Sequence, residues 1–437
     1  MTMKYDVIVV GAGPAGLMAS KIAAEDGLKV LLTERKKDIT EIQRLCGGLT
    51  VTSLINVSGR LKYGYTEPLH FEIGTDKNRV LFPRLGFSID YNGPLRPYLN
   101  YMNFSPSGYH VYREKGRLFG FFWEKESLLA GLLSSAARAG AEVMTETIAL
   151  GAENTKDGVK ILVRGEHGEQ TLEARKVIAA DGTSSKIADS LGLNDKRQLL
   201  GRGGAGGVGY VLEGIETEYR LNTWINFTVP DVGRGNFYMF MMTGDRNMLG
   251  GGGAGSEGIE RFMKLPYYER WFRHARLVRK VATAMGPRTP LWEPASGNVL
   301  VIGDAAALVE VTNPGAIACG YMGAKATLKE LNGQKGYPEY IAWWQKAFDT
   351  NDPGYLKAAG RNFIVNAICG NEEVDYLYRL IQDQIGVPAI LIAQNMERIK
   401  VERPELHAKL REAGMSENVD DVKMDLGKTL EKRQSYV

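Results

Sequence analysis

The sequence predicts an α/β protein in which a Rossmann-like nucleotide-binding domain is interleaved with an antiparallel-sheet domain and followed by a helical C-terminal region. Three observations lead to this. A Val- and Ile-rich run at the N-terminus passes into a glycine-rich turn and then into a helical apolar pattern. Two further buried-strand runs, at 176–180 and 298–303, end on Asp181-Gly182 and on Asp304. Between these pieces the texture changes to short aromatic segments separated by Gly, Pro or Asn, which is how antiparallel strands read.

Residues 4–10 are nearly continuous Val and Ile, as in a buried parallel strand. A helix follows over 14–26, stopped by Gly27, and a second strand over 29–33, so the chain begins with a βαβ unit. Short strands are expected at 69–73, 79–82 and 110–112, a helix at 126–139, and a small meander from 142–148, 159–164 and 170–173. After the strand at 176–180 comes a strand-rich block over 201–254, then a helical stretch over 256–285, and from about 316 mostly helix. The nucleotide domain is thereby assigned to 1–66, 123–200 and 286–330, a substrate domain to 67–122 and 201–285, and a helical region to 331–437.

Composition narrows the function classes. A formal charge of +3 on 437 residues, with no run that concentrates Lys and Arg, argues against nucleic-acid binding. The three cysteines, Cys46, Cys319 and Cys369, are an odd, dispersed set without a CxxC pair. They support neither a disulfide framework nor an iron–sulfur or zinc site, and they fit a reducing cytoplasm. No signal-peptide pattern and no stretch of 18 uncharged apolar residues is found, so a transmembrane helix is not expected. The apolar run 388–393 has two readings: a helix in a buried bundle, or one lying on a membrane surface beside a lipid substrate.

The turn Gly11-Ala12-Gly13-Pro14-Ala15-Gly16 fits G-x-G-x-x-G between strand and helix. Gly11 permits the turn, Gly13 lets a pyrophosphate approach the backbone, and Gly16 allows close helix–strand packing. The phosphates then meet the helix N-terminus formed by Pro14, Ala15 and Gly16. Glu34, 23 residues after Gly11 and followed by Arg35, ends the second strand, where an acidic side chain accepts from ribose hydroxyls.

Two later pieces separate FAD from NAD. Asp181-Gly182 and Gly303-Asp304 have no purpose in a bare NAD dehydrogenase. In an extended FAD site a strand-end carboxylate holds ribityl hydroxyls or orients water near the pyrophosphate. The turn and helix of Pro314, Gly315, Ala316 and Ile317 then aim N–H groups at the flavin, which is negative when reduced.

This order of motifs resembles the glutathione-reductase-type FAD fold as elaborated in p-hydroxybenzoate-hydroxylase-like proteins, over positions 5 to about 330. Within that group, Gln43-Arg44-Leu45-Cys46-Gly47-Gly48-Leu49 is similar to the R-x-C-G-G-like segment of the geranylgeranyl reductase family, and the chain from Asp304 to Ile317 is similar to that family's G-D-A-A…P-x-G-G-G-I segment. The resemblance implies FAD-dependent reduction of carbon–carbon double bonds in an isoprenoid or other apolar substrate. It places Arg44 on the FAD phosphates or ribityl, and Cys46, with Gly47, beside the isoalloxazine in a catalytic role. Two positions depart from the family pattern. Tyr238-Met239-Phe240-Met241-Met242 lacks the family's Trp and Pro, although Tyr238 and Phe240 remain candidates for substrate contact. Lys125 stands where an Arg usually opens a helix against FAD.

Other residues have two readings. The aromatics at 119–123 and at 237, 238 and 240 are core, or line a pocket for a long chain. The glycines at 250–253 are a flexible loop, or a strand end that clears the flavin. Arg84 and Arg96 are surface charge, or receive an anionic substrate group. With no second βαβ beginning that carries a G-x-G-x-x-G loop for a nicotinamide, electrons are expected from an external donor such as a ferredoxin or a reductase. The competing functions are an aromatic-hydroxylase-type flavin monooxygenase and a flavoprotein that passes electrons to a quinone.

Overall fold

A computed structural model describes residues 4–42, 44, 46, 48–51, 65, 67–75, 78–199, 205–233, 235, 237–253, 255–285, 288–308, 310–352 and 364–415. The N-terminal unit runs β1 (Tyr5–Val10), α1 (Pro14–Glu25) and β2 (Val30–Thr33). β1 pairs in parallel with β2 on one side and with β14 (Gly168–Ala179) on the other. β11 (Glu142–Met144) extends this sheet in parallel beyond β2, and β21 (Val299–Val301) extends it beyond β14. The parallel order is therefore β11-β2-β1-β14-β21, with pieces from the start, middle and end of the nucleotide segments. Strands buried on both faces explain the Val/Ile runs: Val7, Ile8 and Val9 of β1 and Val177, Ile178 and Ala179 of β14 have no exposed surface.

Two expectations for this region differ from what is found. The segments 170–173 and 176–180 belong to one long strand. The first half of β14 pairs antiparallel with β13 (Val159–Gly165), and the second half pairs parallel with β1, Ala174 being shared by both ladders. Residues 142–144 join the parallel sheet, so the meander begins only at β12 (Ile148–Asn154).

A second, seven-stranded sheet combines β8 (Asn100–Phe104) and β9 (His110–Glu114) with β15 (Ala205–Glu213), β16 (Thr223–Phe227), β17 (Phe237–Met241), β18 (Asn247–Gly252) and β19 (Arg276–Met285), in the order β19-β15-β18-β17-β16-β8-β9. Its two faces follow the two-residue period of a strand. Phe237 and Met239 of β17 pack with Phe262 of α4 (Ser256–Met263) and Trp271 of α5 (Glu269–Phe272). Phe240 packs on the opposite face with Phe122, Trp224 and Met248, and Tyr238 lies against that cluster. The opposite face is covered by a small sheet in which β10 (Gly120–Trp123) lies between β3 (Leu49–Val51) and β7 (Leu95–Tyr98).

The helical expectation for 256–285 holds only for its first part. β19 is an edge strand hydrogen-bonded along the whole of β15. Its Arg and Lys residues broke the apolar alternation that identifies a strand, while the free edge of β15 rewards extension whatever the local propensity.

The C-terminal helices Ile364–Ile368, Asn371–Leu380, Pro388–Ala393, Met396–Glu402 and Pro404–Glu412 enclose their own core, with Val111 of β9. Every residue of Pro388–Ala393 is buried there. The chain before that helix is bound to the edge of β9: Tyr112 N–H donates to Gln384 O at 2.9 Å and Gly386 N–H to Tyr112 O at 2.8 Å. Among the described residues no helix is long and apolar enough to cross a membrane.

Backbone contacts fix two of the three loop glycines. Gly11 has φ +97°, and a Cβ there would stand 2.5 Å from Ala180 O. A Cβ on Gly16 would stand 1.8 Å from Gly11 O. Gly13 differs: its backbone is extended, and a Cβ would meet nothing within 4 Å. Gly16→Ala is therefore expected to lose roughly 3 kcal/mol of stability or to fail to fold. Gly13→Ala of the flavin-free protein is expected to stay within about 1 kcal/mol of the parent, the usual cost of Ala at a helix N-cap. Thermal melts of the two variants side by side check this, and equal destabilisation would contradict it.

Candidate functional site

Three strand ends and two helix N-termini meet at one edge of the parallel sheet, where ligands of open α/β sheets bind. β1 leads into the glycine turn, β14 into Asp181 and Gly182, and β21 into Gly303 and Asp304. α1 has no side-chain cap and no acidic residue in its first turn. The first helical bond runs from Leu17 N–H to Gly13 O at 3.0 Å, so the amides of Ala15 and Gly16 have no partner within the helix. Open space at Gly13 completes a cradle that the protein's own packing does not require.

Charged side chains surround this cradle. Glu34 is buried at the end of β2; its carboxylate accepts from Ala12 N–H at 2.7 Å and from Lys36 N–H at 2.9 Å. Those bonds tie the glycine turn to β2 and use about two of the carboxylate's four or so lone-pair directions, leaving the others for hydroxyl donors. Arg44 lies beside Gly182, where a Cβ would stand 3.7 Å from its Nη1. Burial lowers the Arg44 pKa and the nearby Arg35 cation lowers it further, against the pull of Asp304 and Glu34. Two cations held this close favour an anion between or beside them.

The strand-end carboxylates are sparsely paired. Asp181 Oδ1 is buried with no geometric hydrogen-bond partner among the described residues, and Oδ2 accepts a long 3.4 Å bond from Ile187 N–H, with the Ser185 hydroxyl and Lys186 N–H also on the carboxylate. Burial raises the Asp181 pKa. Burial likewise raises that of Asp304, opposed by a 2.9 Å bond from Val311 N–H and by the Lys125 and Arg44 charges. A buried carboxylate oxygen without a donor is costly unless a ligand hydroxyl or water supplies one. The orphaned Asp181 oxygen, the open Gly13 cradle and the paired arginines all fit a dinucleotide with hydroxylated ribose or ribityl groups.

The second helix, α6 (Thr312–Leu331), also begins without a side-chain cap or a first-turn acid. Pro314, Gly315, Ala316 and Ile317 are buried in its first turns. The glycine at 315 is required by packing, because a Cβ there would lie 2.6 Å from the Phe348 ring. Thr312, at the junction, is in the left-handed region with φ +61°, a strained conformation for a β-branched residue. Asn313 Nδ2 lies 3.9 Å from Cys46 Sγ. Cys46 is half-buried in a cleft that it lines with Arg44, Phe122, Trp123, Lys125 and Arg279. Gly47 lies outside the described residues.

Of the two candidates on β17, Tyr238 reaches this cluster. Burial, Glu310 and Cys46 together push its hydroxyl pKa far up. Phe240 is fully buried, its ring 4.7 Å from that of Trp224 and nearly parallel to it, so it shapes the wall from behind. Gly250 has a packing role, since a Cβ there would stand 2.2 Å from Val208 O of the neighbouring strand, whereas a Cβ on Gly252 would meet nothing within 4 Å. Arg96 is held by Met242 O at 2.7 Å, and Arg84 is exposed in a turn.

Sequence reasoning passed over Glu310. The signal was present, since Glu310 is a lone charge in the apolar run that follows Asp304. Its side chain is exposed in the loop just before α6. The surrounding protein and the neighbouring Asp304 carboxyl push its pKa up, against the pull of Lys125.

Comparison with known proteins agrees with this geometry. The family model for FAD-dependent oxidoreductases matches residues 6–185. The digeranylgeranylglycerophospholipid reductase of Methanocaldococcus jannaschii is 23% identical over 92% of this chain and 96% of its own length. That of Methanocella arvoryzae is 33% identical over 44% of this chain and 43% of its own. Among solved structures, a geranylgeranyl bacteriochlorophyll reductase-like protein from Thermoplasma acidophilum shares the fold with a TM-score of 0.66, at 19% identity, over 94% of this chain and 99% of that one. The family match and the cradle both fit FAD, and the chain is similar to FAD-dependent oxidoreductases over residues 6–185 and to the digeranylgeranylglycerophospholipid reductases over most of its length.

Proposed function

We propose that the protein reduces carbon–carbon double bonds in the isoprenoid chains of a lipid of the digeranylgeranylglycerophospholipid kind. The observation that carries this reading is the meeting of Cys46 with Asn313 at the N-terminus of α6, with Tyr238 nearby on the aromatic face of the second sheet. Proton-bearing groups are set there against an apolar wall. The names of the relatives support the substrate class.

FAD, when bound, supplies hydride chemistry. The chain's own residues supply the rest. Arg44, Arg35 and the free amides of α1 bind the phosphates, while Glu34 and Asp181 accept from hydroxyls. Lys125 holds positive charge beside Asp304 and Glu310. The amides opening α6 offer hydrogen bonds to a ring that gains negative charge on reduction. Phe122, Trp224, Phe240 and Met248 exclude water from the substrate side, and the Cys46 side chain stands beside Phe122 in the cleft.

We infer that electrons come from an external donor, because the G-x-G-x-x-G at 11–16, which FAD uses, is the one match that sits in a parallel βαβ unit among the described residues. NADPH alone is expected to bleach the flavin slowly compared with dithionite; fast stoichiometric bleaching would contradict this. For Cys46, the expectation is that Cys46→Ala keeps its FAD and loses ~10²-fold or more in alkene reduction, through a lost proton donor or substrate contact. Flavin content, melting temperature and turnover measured on one preparation check this. Full turnover in a flavin-loaded variant would show that Cys46 only fills space.

A further inference from the structure

The geometry points to Arg197 as a positioning residue of the FAD site. It holds the turn that carries Asp304 and leads into α6, and it ties that turn to the two passages of chain that join the sheets. This role lies in how the protein holds FAD, not in which substrate is reduced, so it is independent of the alkene-reductase reading.

The turn after β21 runs through Ala305, Ala306, Ala307 and Leu308, all buried, so their carbonyl groups need donors from the protein. The donors come alternately from two sides. Leu291 N–H donates to Ala306 O at 2.8 Å and Arg288 N–H to Leu308 O at 3.0 Å, both from the segment 288–291 that runs alongside. Arg197 serves the other two: Nη1 donates to Ala305 O at 3.2 Å and Nη2 to Ala307 O. A planar guanidinium spans two carbonyls in a way that the single ammonium of a lysine does not reproduce. Asp304 stands directly before this turn, and Val311 N–H, at the entry to α6, donates to its Oδ1 at 2.9 Å. Holding residues 305 and 307 therefore sets both the carboxylate and the start of the helix.

The same side chain reaches both passages between the sheets. The chain approaches the second sheet through 197–199, ahead of β15, and returns from it through 288–289, after β19. The two passages lie side by side. Leu199 and Arg288 form an antiparallel bridge, Thr289 N–H donates to Gln198 O at 2.9 Å, and Gln198 N–H donates to Thr289 Oγ1 at 3.0 Å. Arg197 Nε donates to Thr289 O at 2.6 Å, and Asn194 Oδ1 accepts from Nη1 at 3.0 Å. Its acceptors among the described residues are thus three backbone carbonyls and one side-chain amide, and none is a carboxylate. That is the pattern of a group that fixes backbone positions rather than of an ion pair. Burial first, and then the Arg288 cation, lower the Arg197 pKa to about 10, against the pull of Asp189, so the side chain stays a cation at neutral pH.

The test uses Arg197→Lys and Arg197→Met in the full chain. Flavin-free protein is titrated with FAD well below each variant's melting midpoint, and the midpoint potential of the flavin is then measured on the loaded protein. Both readings are taken on folded protein, so a loss of stability alone leaves them at their wild-type values. With the turn released, Asp304 and the amides opening α6 leave their places. Each variant should then bind FAD about tenfold or more weakly, Met more so than Lys. The midpoint potential should fall, because the negative, reduced flavin loses more from displaced amides than the oxidised flavin does. If Arg197→Met does not fold, Arg197→Lys decides by the same two readings. Either reading left at its wild-type value in a folded variant overturns the inference, and so does failure of both variants to fold, since Arg197 would then be a prop of the fold alone. A wild type that binds FAD but reduces no alkene removes the proposed function and leaves the role of Arg197 standing.

Discussion

The structure depends on a chain of backbone contacts that only glycine permits. Gly16 brings α1 against Gly11, and Gly11 brings the turn against Ala180 at the end of β14. Gly320 brings α6 against α1, where a Cβ would lie 2.3 Å from Ala15 O. These contacts draw β1, β14, α1 and α6 together, although they come from residues more than 300 positions apart. Two uncapped helix N-termini are thereby placed at one sheet edge, each a partial positive charge without a protein partner. A side chain in this chain of contacts would part the helices and open the cradle that the cofactor needs.

The electrostatics follow from that geometry. Arg35 lies near Arg44, and the carboxylates of Glu34, Asp181 and Asp304 lie at the ends of the neighbouring strands. Burial raises the acids at Asp181 and Asp304 and lowers the Arg44 cation, so the site is poised between charge states. Each of these groups is costly in a protein without a ligand. Their concentration at one edge is the physical mark of a binding site rather than of a stabilising network.

Much of this could be read from the sequence because its causes are local. The turn at 11–16, the aspartates after β14 and β21, and the Val/Ile strands each obey a short-range rule. The parts that could not be read depend on distant partners. β19 is a strand because β15 leaves an edge for it, and its arginines hid the alternation. Gly315 and Gly250 looked like ligand-facing glycines, but Phe348 and Val208 explain them. Tyr238 and Phe240 were grouped together as substrate contacts. They share one face of the sheet with ring centroids 5.9 Å apart, but Phe240 is buried and Tyr238 only partly so.

The most direct measurement is an anaerobic single turnover. Protein reduced by dithionite and freed of excess reductant is mixed with a geranylgeranyl lipid, and flavin absorbance and lipid mass are followed together. Alkene reduction predicts reoxidation of the flavin without oxygen and a gain of about 2 Da in the lipid for each flavin oxidised. A flavin that stays reduced beside unchanged lipid until oxygen is admitted, and that then adds an oxygen atom to a substrate, would contradict it.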